Sequence, residues 1–350
     1  MQRNEWDLPQ PPGVRPVKGP RVWLWVGSTI AAVVLIAVAL YVPVPLFYEF
    51  VPGPVSDVQE LVEVENIETY SSEGKLFLTT VNVDTKVTVA KMIAALFDDS
   101  EQVVFKEQVT GGSTLEELEE QQRLEMRTSK QQAKVLALGA LGVAAPPRGS
   151  GARVAQTVPS YPAHDVLEEG DVILEMSGRP VSSTCDAMEG IRRIEPGQEL
   201  TMTIERGSER ESITVETVEN PNEPGTAFLG VAMEDVEPEL DSDIEVRFKT
   251  GEIAGPSAGL MFSLALYDQL TPEDLTGGRK IAGTGTIGCK GVVGPIGGIE
   301  QKIAAAEDAG AELFLSPDGN FEAARSVADE IKVVAISDFD EALSYLEGNG

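Results

Sequence analysis

Ser257 sits inside Gly255-Pro256-Ser257-Ala258-Gly259, and Lys302 closes the run Gly297-Gly298-Ile299-Glu300-Gln301-Lys302 further along the chain. A hydroxyl on a glycine-flanked turn and an amine in an apolar stripe are the raw material of a Ser-Lys hydrolase, in which the amine takes the serine proton. The single histidine, His164, lies far from Ser257 in a different compositional region. A Ser-His-Asp triad would need it to reach across domains, and a histidine-based zinc site lacks ligands. Lysine is therefore the base that nucleophilic catalysis would use here.

An exposed lysine titrates near 10.4, so at pH 7 roughly 1 in 2,500 is neutral and able to accept a proton. Lowering that pKa by about 3 takes about 4 kcal/mol of differential destabilisation of the charged form, which burial among apolar groups can supply. The spacing predicts a helix over Gly298–Gly310, with Ile299, Ile303 and Ala306 facing inward. Lys302 falls on that inward face, whereas Glu300, Gln301, Glu307 and Asp308 fall on the outer one. A lysine at a helix edge that carries its ammonium out to water fits the same pattern.

Around Ser257, two glycines leave room for a substrate backbone, and Pro256 has no N–H and a helix-compatible φ. The apolar stretch Ala258–Leu270 reads as a helix whose first N–H groups are available to an oxyanion. A serine N-cap on a buried helix is the alternative for Ser257 taken alone.

Taken together, Gly255–Gly259, Gly283-Thr284-Gly285-Thr286-Ile287 and Gly291-Val292-Val293-Gly294-Pro295-Ile296-Gly297-Gly298-Ile299-Glu300-Gln301-Lys302 resemble the proteolytic domain of Lon-type peptidases, over roughly Val246–Leu346. The resemblance implies Ser257 as nucleophile, Lys302 as base and Thr284 as a support of the dyad. Ala258 is the supporting neighbour, with backbone N–H groups near Ser257 holding the oxyanion. Two positions depart from the family pattern: Ala254 stands where an acidic residue is frequent, and Gly285-Thr286 replaces a Gly-Glu pair. Both leave the dyad intact and bear on the active-site loop. No Gly-x-x-x-x-Gly-Lys-Ser/Thr phosphate loop occurs in this sequence, so no ATP-driven motor is expected of it.

The run Val22–Val42 carries no charge and is flanked by Trp23, Trp25 and Tyr41, the length and interfacial aromatics of a transmembrane helix. A buried core helix is the alternative. Arg3, Arg15, Lys18 and Arg21 precede the run and Glu49, Asp57 and Glu60 follow it, which predicts a cytoplasmic tail and an extracytoplasmic remainder. With 57 acidic against 27 basic residues the net charge is −30, which repels phosphate backbones and argues against nucleic-acid binding. Cys185 and Cys289 fall in different predicted domains, so neither a disulfide nor a metal site is expected of them.

Lys75–Val83 alternates as a strand, Val87–Phe97 reads as a helix, and Ser113-Thr114-Leu115-Glu116 opens a long helix through about Leu141 whose first half is polar. Pro146–Gly151 then breaks the chain. Beyond it come a strand at Val154–Val158, a turn at Ser160–Glu168, a strand at Gly170–Met176, a helix at Cys185–Ile194 and a hairpin of Leu200–Arg206 with Glu211–Val218. That order resembles the circularly permuted PDZ domains of bacterial extracytoplasmic proteases, which bind extended peptide by strand addition; a β-rich spacer without a ligand is the alternative. Gly74–Thr79 and the long helix resemble pieces that precede the serine in Lon-type domains, so the PDZ-like unit is expected as an insertion into a split peptidase domain.

The expected architecture is an α/β (α+β) Lon-type proteolytic domain with a small β-rich PDZ-like domain and one N-terminal transmembrane helix. Its segments are a cytoplasmic tail over 1–21, a transmembrane helix over 22–42, an extracytoplasmic segment over 43–145 that is a candidate first part of the peptidase, a PDZ-like domain over 150–220 and the proteolytic domain over 225–347. The expected activity is membrane-anchored, ATP-independent serine endopeptidase, with no cofactor and no metal, acting on protein or peptide substrates. Lon-type resemblance also allows a homo-oligomeric ring. The rival is a non-catalytic PDZ adaptor on a protease-like platform.

Overall fold

The computed structural model describes residues 22–142, 151–221, 223–236, 244–251 and 253–348. The expected tail over 1–21 and residues 143–150, which take in all but the last residue of the Pro146–Gly151 break, lie outside these. Helix α1 (Val22–Tyr41) is 20 residues long, and side chains such as Trp25, Ile30 and Leu35 are exposed. Among the described residues no helix is long and apolar enough to cross a membrane.

Strand β1 (Phe47–Asp57) pairs antiparallel with β2 (Lys75–Asp84) and with β3 (Gln102–Phe105). In β2 successive side chains point to opposite faces, Leu76 and Leu78 into one core and Phe77 into another, so the strand is buried on both faces there. The helix expected over Val87–Phe97 is confined to Val89–Ala94. Helix α2 (Leu115–Ala140) follows. Its cap is Thr114 with Glu117, one residue later than Ser113 with Glu116: Thr114 Oγ1 accepts from Glu117 N at 3.2 Å and Glu117 Oε2 accepts from Thr114 N at 2.8 Å. Further along α2, Met126, Ala133, Ala137 and Leu138 are buried.

The next unit is antiparallel throughout. It contains β4 (Ala152–Thr157), β5 (Val172–Met176), helix α3 (Thr184–Arg192), β6 (Glu199–Arg206), β7 (Glu209–Glu216) and β8 (Val231–Asp235), with sheet order β8-β4-β5-β6-β7. Val154, Ile173, Met176, Leu200, Met202 and Ile204 form a core of its own. The Arg206-Gly207-Ser208-Glu209 turn closes the β6–β7 hairpin. Val231–Asp235, which the sequence reading assigns to the proteolytic segment, is an edge strand of this sheet. Its partner is Ala152–Thr157, a pairing too distant in sequence for local pattern to reveal.

The elements after this unit that build the site are α4 (Gly259–Leu270), β9 (Lys280–Gly283), β10 (Thr286–Ile287), β11 (Val293–Gly294), α5 (Ile299–Asp308), β12 (Leu313–Pro317), β13 (Lys332–Ile336) and α6 (Phe339–Gly348). The large sheet runs β13-β12-β9-β2-β1-β3, and β9 lies parallel to both β2 and β12. Segments before and after the β8-to-β7 unit thus share one sheet. Helices α4 and α6 and the later part of α2 pack on one face of it, and α5 packs on the other. Phe262 and Phe314, both fully buried, each contribute about 2–3 kcal/mol by leaving water. The consequence is positional. Ser257 arrives from one face and Lys302 from the other, and they meet where β9 ends.

Cys185 in α3 and Cys289, in a short turn between β10 and β11, are joined as a disulfide. The expectation of two unpaired cysteines is overturned because the two units dock: their Cα atoms are 5.3 Å apart across 104 residues of sequence.

Candidate active site

The Ser257 turn is a short 3-10 segment, Pro256–Ala258, and α4 begins only at Gly259. Gly259 is required by its neighbours: a Cβ there would stand 2.7 Å from Ser129 Oγ and 2.9 Å from Ile287 N. Ala258 is buried at the N-terminal boundary of α4, next to the core of that face. Two contacts from α2 hold the turn from outside. Ser129 Oγ donates to Pro256 O at 3.0 Å, and Gly255 N donates to Gln122 O at 3.4 Å.

Lys302 sits in the first turn of α5, which starts from Gly298 in the left-handed conformation, φ 69°. A side chain at that φ is strained, and its Cβ would stand 2.7 Å from Val81. The helix is two residues shorter than expected at its end, closing at Asp308. Gln301 is not on an outer face but buried, with Oε1 unpaired among the described residues. The physical reason is that α5 leans on β1 and β2 with more of its circumference than a single stripe.

The three motif blocks converge. Lys302 Nζ is 2.9 Å from Ser257 Oγ and 2.8 Å from Thr284 Oγ1. Thr284 Oγ1 in turn donates to Ser257 O at 3.1 Å, and Gly285 N donates to the same carbonyl at 2.9 Å. Because the threonine hydroxyl spends its proton on that carbonyl, its lone pair is what faces the amine. A neutral amine has two N–H groups and one lone pair. One N–H to Thr284 leaves the lone pair free to aim at the serine proton. Lys302 is 3% exposed, and burial lowers its pKa from 10.5 to about 8. An amine so placed can take the hydroxyl's proton near neutral pH.

The site opens into a cleft of about 1080 Å³ whose walls include Leu78 and Val81 of β2, Ile253, and the Pro295–Gly298 approach to α5. A second cleft, about 480 Å³, lies between α2 and the β4–β8 pair and reaches Pro256 and Thr286. Among the described residues no group of three histidine, cysteine or acidic side chains could hold a metal. His164 is exposed on the other unit, with Nδ1 2.8 Å from Thr157 Oγ1.

Residues 231–346 match the family model of the Lon protease (S16) C-terminal proteolytic domain, and residues 139–217 match the PDZ domain. The chain joins a PDZ domain to a Lon-type serine peptidase domain. It is similar to Lon protease 2 of Bacillus subtilis, 37% identical over 109 residues that make up 30% of this chain and 19% of that protein. It is also similar to the Lon protease of Roseiflexus castenholzii, 36% identical over 107 residues, 29% of this chain and 13% of that one. The chain thus spans less than a fifth of the length of these relatives. Among solved structures it is similar to the PDZ domain of an SdrC-like protein from Listeria monocytogenes, with 24% identity, 24% of this chain and 87% of that one covered, and a TM-score of 0.23.

Sequence reasoning passed over Ser129. Its signal was a small polar residue on the Met126, Ala133, Ala137 stripe of α2, where every other member is apolar. It also passed over the Cys185–Cys289 pair. An even number of cysteines in a chain expected outside the cytoplasm was the available signal.

Proposed function

We propose that the Lon-type domain is an ATP-independent serine endopeptidase in which Ser257 is the nucleophile and Lys302 the general base. Neutral Lys302 takes the Ser257 proton as Oγ attacks the substrate carbonyl carbon. Backbone N–H groups beside Ser257 and Ala258, at the start of α4, face the developing oxyanion. The ammonium of Lys302 then gives its proton to the leaving amine, and the acyl-enzyme forms as the C–N bond breaks. Water attacks the ester, Lys302 takes its proton, and Ser257 recovers a proton as the acid product leaves. Thr284 orients the amine throughout. The observation that carries this reading is the 2.9 Å contact between Lys302 Nζ and Ser257 Oγ, made by an amine that burial brings to a pKa of about 8.

Selection of substrates falls to the PDZ domain in this reading. Strand β8 lies at one end of its sheet, so an extended peptide has an edge to join. From the sequence, and although no helix among the described residues is long and apolar enough to cross a membrane, we place the chain in the cell membrane by a single pass over 22–42, with residues 1–21 cytoplasmic and the catalytic domain outside. Supporting this are the uncharged run, the basic residues ahead of it and the exposed apolar side chains of α1. Substrates are proteins or peptides, and self-association into a ring is part of the proposal. The test is cleavage of unfolded casein by the full-length chain and by Ser257→Ala, with and without ATP. The proposal expects cutting that needs Ser257 and ignores ATP. Equal cutting by well-folded Ser257→Ala refutes the dyad, and no cutting by either favours a non-catalytic adaptor.

A further inference from the structure

The β10–β11 hairpin links the parts of the site. It begins two residues after Thr284, and its second strand runs through Pro295–Gly298 into the helix that carries Lys302. Its base is pinned to the serine turn: Gly285 N donates to Ser257 O at 2.9 Å, and Leu260 N donates to Gly285 O at 3.1 Å. Its tip is pinned to the PDZ domain. Cys289 is bonded to Cys185, and Lys290 Nζ lies 3.7 Å from Glu189 Oε2. Cys185 and Glu189 are four residues apart on α3, hence on one face of that helix. Both contacts therefore hold the same hairpin tip to the same helix face.

We propose that the Cys185–Cys289 disulfide is a thiol-sensitive clamp through which the PDZ domain positions the hairpin that follows Thr284. The catalytic part of this inference rests on the function proposed above. The ion pair is exposed, with Lys290 82% and Glu189 45% exposed, and holds little, so the disulfide is the stronger of the two links at the hairpin tip. Both sulfurs belong to half-buried residues that a small reductant can reach. The switching reaction needs a dithiol: its two electrons and two protons pass to the sulfurs of Cys185 and Cys289, giving two thiols here and a disulfide on the reductant. With the clamp open, the four residues between Thr284 and Cys289 lose their outer anchor. Thr284 then holds Lys302 less tightly, and Thr286 and Pro295–Gly298, which line the substrate cleft, are held less firmly with it. Cys185, Cys289, Glu189 and Lys290 act in this account as positioning residues.

The full-length chain and its Cys185→Ser/Cys289→Ser variant are compared with and without dithiothreitol, with reduction checked by counting thiols. Backbone hydrogen exchange over 284–294 is the primary reading, and kcat and KM on a short unstructured peptide the second. Reduction of the wild type is expected to speed exchange in that hairpin about tenfold, and to lower kcat about tenfold. The double variant should already show both changes and ignore the reductant. Unchanged hairpin exchange in fully reduced wild type overturns the clamp, and so does a rise spread evenly over the whole chain. Should the double variant not fold, the reduced wild type decides alone. Exchange needs no catalysis, so the clamp stands or falls even if no peptide is cut; failure of the dyad shows instead as Ser257→Ala cutting like wild type.

Discussion

Asp171 of the PDZ domain and Lys302 of the Lon-type domain are both buried ionisable side chains, and the two are treated in opposite ways. Asp171 of the PDZ domain has a carboxyl that is 1% exposed. Burial pushes its pKa up, but hydrogen bonds from Arg206 and from the Glu168 N–H, with the guanidinium charge, outweigh that and hold it below the usual carboxylate value. Lys302 of the Lon-type domain meets two hydroxyls instead of a counter-ion, and burial lowers its pKa to about 8. The same desolvation is cancelled in one domain to keep a charge for architecture. In the other it is left uncancelled, which frees a lone pair for chemistry. A buried charge with a partner is evidence about folding; a buried amine facing only hydroxyls is evidence about function.

The comparison breaks most visibly at the amine. Lys302→Met is expected to lower peptide cleavage by about 10⁴-fold or more, as is Ser257→Ala, in assays of purified, folded protein. Lys302→Met should also unfold at a higher temperature at pH 7. The distance from 10.5 to about 8, at about 1.4 kcal/mol per pH unit, corresponds to about 3 kcal/mol of burial cost removed. Activity lost together with stability would mean that Lys302 is held for architecture after all.

Asp171→Ala should behave in the reverse sense. It leaves Arg206 without its bidentate partner and is expected to cost about 3 kcal/mol in denaturant unfolding of the PDZ domain. Cleavage of short peptides should survive, because Ser257, Thr284 and Lys302 all lie in the other domain.

How far the chain could be read in advance divides along the same line. Local features were legible in the glycine-flanked serine turn and the α5 periodicity that turned Lys302 inward, while Thr284 came from the Lon-type resemblance. The structure brings these three within hydrogen-bonding distance. What local pattern missed depends on partners far away in sequence. Gln301 is buried because α5 meets two strands of the sheet. Val231–Asp235 joins the PDZ sheet because its edge pairs with Ala152–Thr157. Cys185 reaches Cys289 only once the domains have docked. The cap at Thr114 was missed by one residue, since Ser113 and Thr114 offer the same chemistry to adjacent registers.

A pH series sharpens the account further. With Lys302 as base, kcat/KM should rise about tenfold per pH unit below about 8 and level off above it. Stability has its own sign. The folded pKa lies below the unfolded one, so the unfolded chain binds the extra proton between about 8 and 10.5, and this group's contribution makes the fold more stable as pH rises through that window. A flat rate from pH 6 to 10 with chemistry limiting would remove Lys302 as the base. The smallest expected effect is at Ser129. Ser129→Ala leaves Pro256 O without its 3.0 Å donor and should lower kcat about tenfold while costing about 1–2 kcal/mol of stability.

The most direct measurement is the titration of Lys302 itself, followed by NMR of a sample carrying ¹³C at lysine Cε and assigned by the signal that Lys302→Met removes. The account predicts a midpoint near 8. A midpoint at the ordinary value near 10.4 would mean that the amine beside Ser257 stays charged at neutral pH and cannot serve as its base.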